Sequence, residues 1–148
     1  MTLIKKSKID SHVSLVYSQR LLNYAFWHQQ LLAESIGKSG NDLTPIISEC
    51  PKDHHSIMQL YLDGKRNKFF SFLKIVNDKN DYSIKKDYFS NGLQTKTLNR
   101  IVDAQFKATI NIFKKKLIPF RVILIDYKNP LQNLVSLLTY SMLETAIL

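Results

Sequence analysis

The chain has 148 residues, of which 45% are hydrophobic and 22% charged, with four glycines, four prolines and a formal net charge of +9. That length predicts a single domain, 1–148, able to bury a core without disulfide or metal. The scarcity of Gly and Pro excludes an all-β protein rich in tight turns, and a lone cysteine, Cys50, excludes an intramolecular disulfide.

The charge is uneven. Residues 65–121 hold 14 Lys/Arg against four Asp/Glu, a surplus of +10, while the rest of the chain holds seven basic and eight acidic residues. A positive field confined to one region points to a polyanionic partner. No signal-like apolar stretch follows the basic run in MTLIKKSKIDSH. The C-terminal LQNLVSLLTYSMLETAIL is interrupted by Gln132, Asn133, Ser136, Thr139 and Glu144, which argues against membrane insertion. A soluble, cytoplasmic protein is expected.

In chain order, the first element predicted is a helix over 12–36. Val13, Tyr17, Leu21, Tyr24, Ala25, Leu31, Leu32 and Ile36 share one wide face, and His28 lies within it as a hydrogen-bonded core residue. Gly37 and Gly40 end that helix. A short helical turn follows Thr44 with Pro45 at its first position, and Pro51 opens a further helix. Met58, Tyr61, Leu62, Phe69, Phe72, Leu73 and Val76 keep helical spacing, although FFSFLKIV also suits a strand. A short helix is predicted over 84–90 and a longer one over about 95–116, broken by Pro119. FRVILIDY (120–127) reads as a possible short strand, which either meets FFSFLKIV or pairs across a two-fold axis. Asn129-Pro130 opens the last helix, with Leu131, Leu134, Val135, Leu138 and Met142 as its core stripe and Gln132, Ser136, Tyr140 and Glu144 opposite. The fold expected is therefore mainly α, a single-domain bundle of about five helices, with α+β as the alternative.

The helix over 95–116 is the most suggestive feature. Lys96, Arg100, Lys107, Asn111 and Lys114 fall on one side, interrupted by Asp103, and Lys115 and Lys116 extend the run. A solvated face usually mixes signs. A one-sign face suits phosphate contacts, with Arg100 or Asn111 able to reach base edges. The reading adopted is a non-enzymatic nucleic-acid-binding protein using Lys96, Arg100, Lys107, Asn111, Lys114, Lys115 and Lys116. The alternative is a protein-interaction module, an inhibitor or immunity-type protein docking an acidic partner.

An enzyme ranks third, and no cofactor is expected. No G-x-S-x-G, Walker or G-x-G-x-x-G pattern is present. Asp126-x-Lys128 has the form of a metal-nuclease strand but lacks a second strand-borne carboxylate. Cys50, Asp53, His54 and His55 cluster without zinc spacing, so no metal site is expected. An apolar C-terminal helix and a partly outward Trp27 suggest a homodimer.

Overall fold

The computed structural model describes residues 9–36, 43–78, 82 and 97–147. Among them are four strands and four α-helices. The chain forms β1 (Ser11–Val16), a 3-10 turn at Gln19–Leu21 leading into α1 (Leu22–Ile36), then β2 (Thr44–Glu49). A second 3-10 turn (Lys52–His54) precedes α2 (Met58–Asp63) and β3 (Lys68–Val76), followed by α3 (Leu98–Lys115), β4 (Phe120–Asp126) and α4 (Pro130–Ile147). The strands form one sheet in the order β2-β1-β3-β4, and every neighbouring pair is parallel.

Parallel sheets need both faces covered, and alternation along the strands supplies two apolar faces. On one face, Val13, Leu15 and Tyr17 of the β1 segment and Phe70 and Phe72 of β3 meet Met58 and Tyr61 of α2 and Phe106 and Phe113 of α3. Phe113 stands edge-on to Phe70 and Phe72 at 4.9 and 5.1 Å between ring centres, a favoured aromatic arrangement. On the other face, Val16, Leu73, Ile123 and Ile125 pack with Leu21, Tyr24 and Ala25 beside α1 and with Leu137 of α4. Helices thus cover both sides, as expected when a chain winds outward from β1 in both directions.

The mainly α five-helix bundle is corrected to an α/β fold. The helix expected over 12–36 is two elements. All six residues of β1 are buried, and a strand buried on both faces has no period of two to betray it. The turn expected after Thr44 is the edge strand β2, where Pro45 is tolerated because an edge strand leaves one side of its backbone unpaired. FFSFLKIV lies in the central strand β3, and FRVILIDY meets it as β4, with Phe70 opposite Phe120 and Val76 opposite Asp126.

Helix α3 falls within the predicted 95–116, and Leu117, just past its C-cap Lys116, has a positive φ of 53°. Helix α4 begins at Pro130 as expected, but it is rolled about its axis. Leu137 and Ser141 face inward, whereas Leu131, Leu134, Val135 and Met142 of the expected core stripe are exposed. Trp27 is half-buried against the α1 face of the core. The helix expected over 84–90 lies outside the described residues, as does Lys96.

Candidate functional site at the carboxyl ends of the strands

Strand order reverses about β1: the chain leaves it for β2 on one side and returns past it to β3 on the other. In open α/β sheets, ligands bind outside the carboxyl ends of the strands at such a switch point. The β1 backbone runs into Tyr17, whose N–H donates to Leu73 O at 2.8 Å, and Ser18 Oγ accepts Ile75 N–H at 2.9 Å. These bonds fasten the β1 exit to β3. The Cys50 N–H donates to Val16 O at 2.9 Å, fastening the β2 exit to β1.

Beside these exits lies a compact set of polar groups. The Tyr17 hydroxyl and His54 Nε2 are 2.7 Å apart, and the Tyr17 ring is edge-on to Phe106 at 5.0 Å. Burial pushes the Tyr17 hydroxyl above its ordinary range, so it stays protonated. Burial, and then the charge of His55, push His54 down, which favours a neutral imidazole. His55, next along the same turn, is exposed. Burial, with help from the Asp53 charge, pushes the Cys50 thiol up to about 12, so it is not a nucleophile. Asp53 is occupied locally, its carboxylate accepting the Glu49 N–H at 2.8 Å.

On the other side of the Phe106 ring, Lys74 of β3 is buried beneath α3 and paired with Asp103. Its ammonium also sits over the Phe106 ring at 5.0 Å. Burial, and then the nearby Lys107, lower its pKa. Asp103, which looks in sequence like an interruption of a basic face, is the counter-ion of this lysine. At the outer rim, Asp126 Oδ1 accepts the Lys128 N–H at 3.0 Å and an Asn77 side-chain N–H at 3.2 Å. Asp126 and Lys128 therefore build a turn. Among the described residues, no group of three His, Cys, Asp or Glu side chains is placed to hold a metal ion.

Arg100, Lys107, Asn111, Lys114, Lys115 and Lys116 are exposed, on α3 or just past its end. Lys116 is also paired with Asp63 of α2 at 2.5 Å. None of these belongs to the polar set at the switch point, apart from the influence of Lys107 on Lys74. Sequence reading missed Tyr17, His54 and Lys74 as a group. A strand assigned to 11–16 would have signalled them, because it puts Tyr17 at a strand exit.

A second polar cluster lies beneath α4, toward the amino ends of the strands. Ser71 Oγ is 2.7 Å from His12 Nε2 and accepts an Arg121 Nε–H at 2.7 Å. Arg121 also grips Glu144. The Tyr24 and Ser141 hydroxyls are 2.7 Å apart. His28 is buried as expected, but its Nε2 has no hydrogen-bond partner among the described residues and lies 3.7 Å from Glu144.

No protein-family model matches the chain. It is 34% identical over 135 residues to the probable glucose-6-phosphate isomerase of Methanococcus maripaludis, covering 91% of this chain and 30% of that protein. It is 33% identical over 100 residues to the glucose-6-phosphate isomerase of Methanocaldococcus jannaschii, covering 68% of this chain and 25% of that protein. The chain thus spans less than a third of the length of these curated relatives. Among solved structures it resembles a hypothetical protein of Thermus thermophilus with a TM-score of 0.79 at 24% identity, over 97% of this chain and 37% of that one. The α/β fold therefore has a solved counterpart.

These relatives overturn the nucleic-acid-binding reading and its acidic-partner alternative, because they carry enzyme names across most of the chain. The basic residues of α3 are exposed; Lys116 is offset by Asp63, while Asp103 is taken up by the buried Lys74, contacts that sequence spacing does not reveal. No helix among the described residues is long and apolar enough to cross a membrane.

Proposed function

We propose that this chain forms one α/β unit of a glucose-6-phosphate isomerase, acting together with the parts of such an enzyme that the match does not cover. The observation that carries the reading is the 34% identity sustained across 91% of the chain. The cytoplasmic location expected from the sequence goes with it.

Interconverting an aldose and a ketose phosphate moves a proton between adjacent carbons, so the site needs a group that takes up and returns it. On this reading His55 is that group in this unit, because it is the exposed imidazole of the 52–55 turn. His54, tied to Tyr17, fixes the turn that presents it. Lys74 and Asp103 steady the opposite wall.

The test is a hybrid in which this chain replaces the aligned segment of the Methanococcus maripaludis protein, assayed for glucose 6-phosphate turnover. Turnover that falls in His55→Ala supports the reading. A folded hybrid that is inactive beside an active parent removes it.

A further inference from the structure

The turn at Lys52–His54 sets two imidazoles next to each other in sequence and gives them different surroundings. A 3-10 turn carries successive side chains a third of a revolution apart, and His55, its C-cap, keeps helical backbone angles. His54 turns in, with its Nε2 at 2.7 Å from the Tyr17 hydroxyl, while His55 is exposed. Adjacent imidazoles titrate as a coupled pair unless their surroundings separate them.

The Tyr17 hydroxyl is aimed by its ring, which lies parallel to Phe72 at 6.1 Å and edge-on to Phe106 at 5.0 Å. Thr109 of α3 also comes within hydrogen-bonding reach of that hydroxyl. The Thr109 proton is already directed to Gln105 O at 2.8 Å, so Thr109 has none to give Tyr17. The Cys50 thiol, a further neighbour, is a weak donor and a weak acceptor. Of the acceptors facing the phenolic proton, a bare imidazole nitrogen is the most basic. The other ionisable groups of the turn are engaged or outward: Asp53 accepts the Glu49 N–H, Lys52 reaches the Glu49 carboxylate, and His55 faces solvent. From α3, Phe106 and Thr109 bring no charge.

We infer that Tyr17 is a positioning residue for His55: its hydroxyl donates to Nε2 of His54 and holds that ring neutral with its proton on Nδ1, which leaves His55 as the imidazole of the turn that exchanges a proton. A charge on His54 would oppose a charge on His55 one residue away. The inference deepens the isomerase reading and rests on it for the role of His55; the proton position on His54 does not depend on that reading.

Long-range proton–nitrogen NMR of the isotope-labelled chain reads which ring nitrogen carries the proton, and His54→Gln assigns the His54 signals by their loss. The expected result is a neutral His54 with Nδ1 protonated and Nε2 bare, a preference that is lost in Tyr17→Phe. A proton on Nε2 in the parent would overturn the inference, and this measurement needs no variant to fold. An unchanged His54 pattern in a folded Tyr17→Phe would overturn it too. In the hybrid with the Methanococcus maripaludis protein, the acid side of the kcat profile is expected to follow one ionisation. Tyr17→Phe adds a second, and Tyr17→Phe with His54→Gln returns the profile to one. Turnover lowered by the same factor at every pH in Tyr17→Phe would mean that Tyr17 only supports the fold, and would overturn the positioning role. A hybrid without turnover beside an active parent removes the isomerase reading and leaves the NMR result to decide where the His54 proton sits.

Discussion

Arg121, the second residue of β4, and Glu144, in the last turn of α4, are joined by two hydrogen bonds of 2.5 and 2.9 Å. Each side chain is about one-fifth exposed, and the guanidinium also donates to Ser71 Oγ and the Tyr140 hydroxyl. The pair sets the roll of α4, because it draws the one charged residue of that helix onto the sheet. Two forked, charge-assisted bonds in a partly dry setting are stronger than surface pairs. Glu144→Gln leaves Arg121 without its anion and is expected to destabilise the chain by about 2–3 kcal/mol. Urea unfolding measures this directly; a loss within surface noise would mean that the pair does not hold the helix.

Acid sensitivity follows from the same cluster. Burial, then the charges of Arg121 and His28, push His12 from 6.5 to about 3. Between those values the unfolded chain binds a proton that the folded chain does not, so stability is full above pH 6.5 and falls as the pH drops toward 3. Burial opposes the Glu144 carboxylate, but His28 and Arg121 outweigh it and bring the group from 4.5 to about 2. Its contribution is therefore present above pH 4.5 and lost as the pH falls through 2. Stability should slope by about 1.4 kcal/mol per pH unit for each such proton. His12→Gln, which keeps a polar partner for Ser71, should flatten the slope between pH 6.5 and 4.5. An unchanged profile in that variant would show that His12 is not the group responsible.

Leu117, just past the end of α3, has φ at 53° and is 89% exposed. The left-handed conformation costs an L-residue roughly 1–2 kcal/mol, and this side chain buries little in return. Leu117→Gly removes that strain at the cost of extra unfolded-state freedom. A net gain of about 0.5 kcal/mol is expected from thermal or urea unfolding. A loss would show that the leucine makes a stabilising contact.

The legible parts of this chain were those where one local signal dominates. Helix α3 has a strong amphipathic period and a Pro119 stop, and Asn129-Pro130 marks the start of α4. The strands were harder. His12, Ser14 and Ser71 are buried polar residues within strands, satisfied by partners distant in sequence such as His12–Ser71 and Arg121–Ser71. Read locally, Val13 and Tyr17 fell on the apolar face of the helix that follows, and β1 was absorbed into it. The roll of α4 was illegible for a related reason: its apolar stripe pointed one way, while Arg121, 23 residues from Glu144, pulled it another. The polar set at the switch point could not be assembled without β1, since Tyr17 gains its place beside His54 only once 11–16 is a strand.

The central claim is that this chain supplies part of a site that isomerises glucose 6-phosphate. The most direct measurement is proton NMR of glucose 6-phosphate in deuterated water with the hybrid enzyme, its His55→Ala variant and the intact parent. The account predicts that the hybrid forms the corresponding ketose phosphate and introduces deuterium at the sugar carbon that exchanges its proton, and that His55→Ala slows both by at least about a hundredfold. A folded hybrid that leaves the sugar spectrum unchanged, while the parent converts it, would contradict the account.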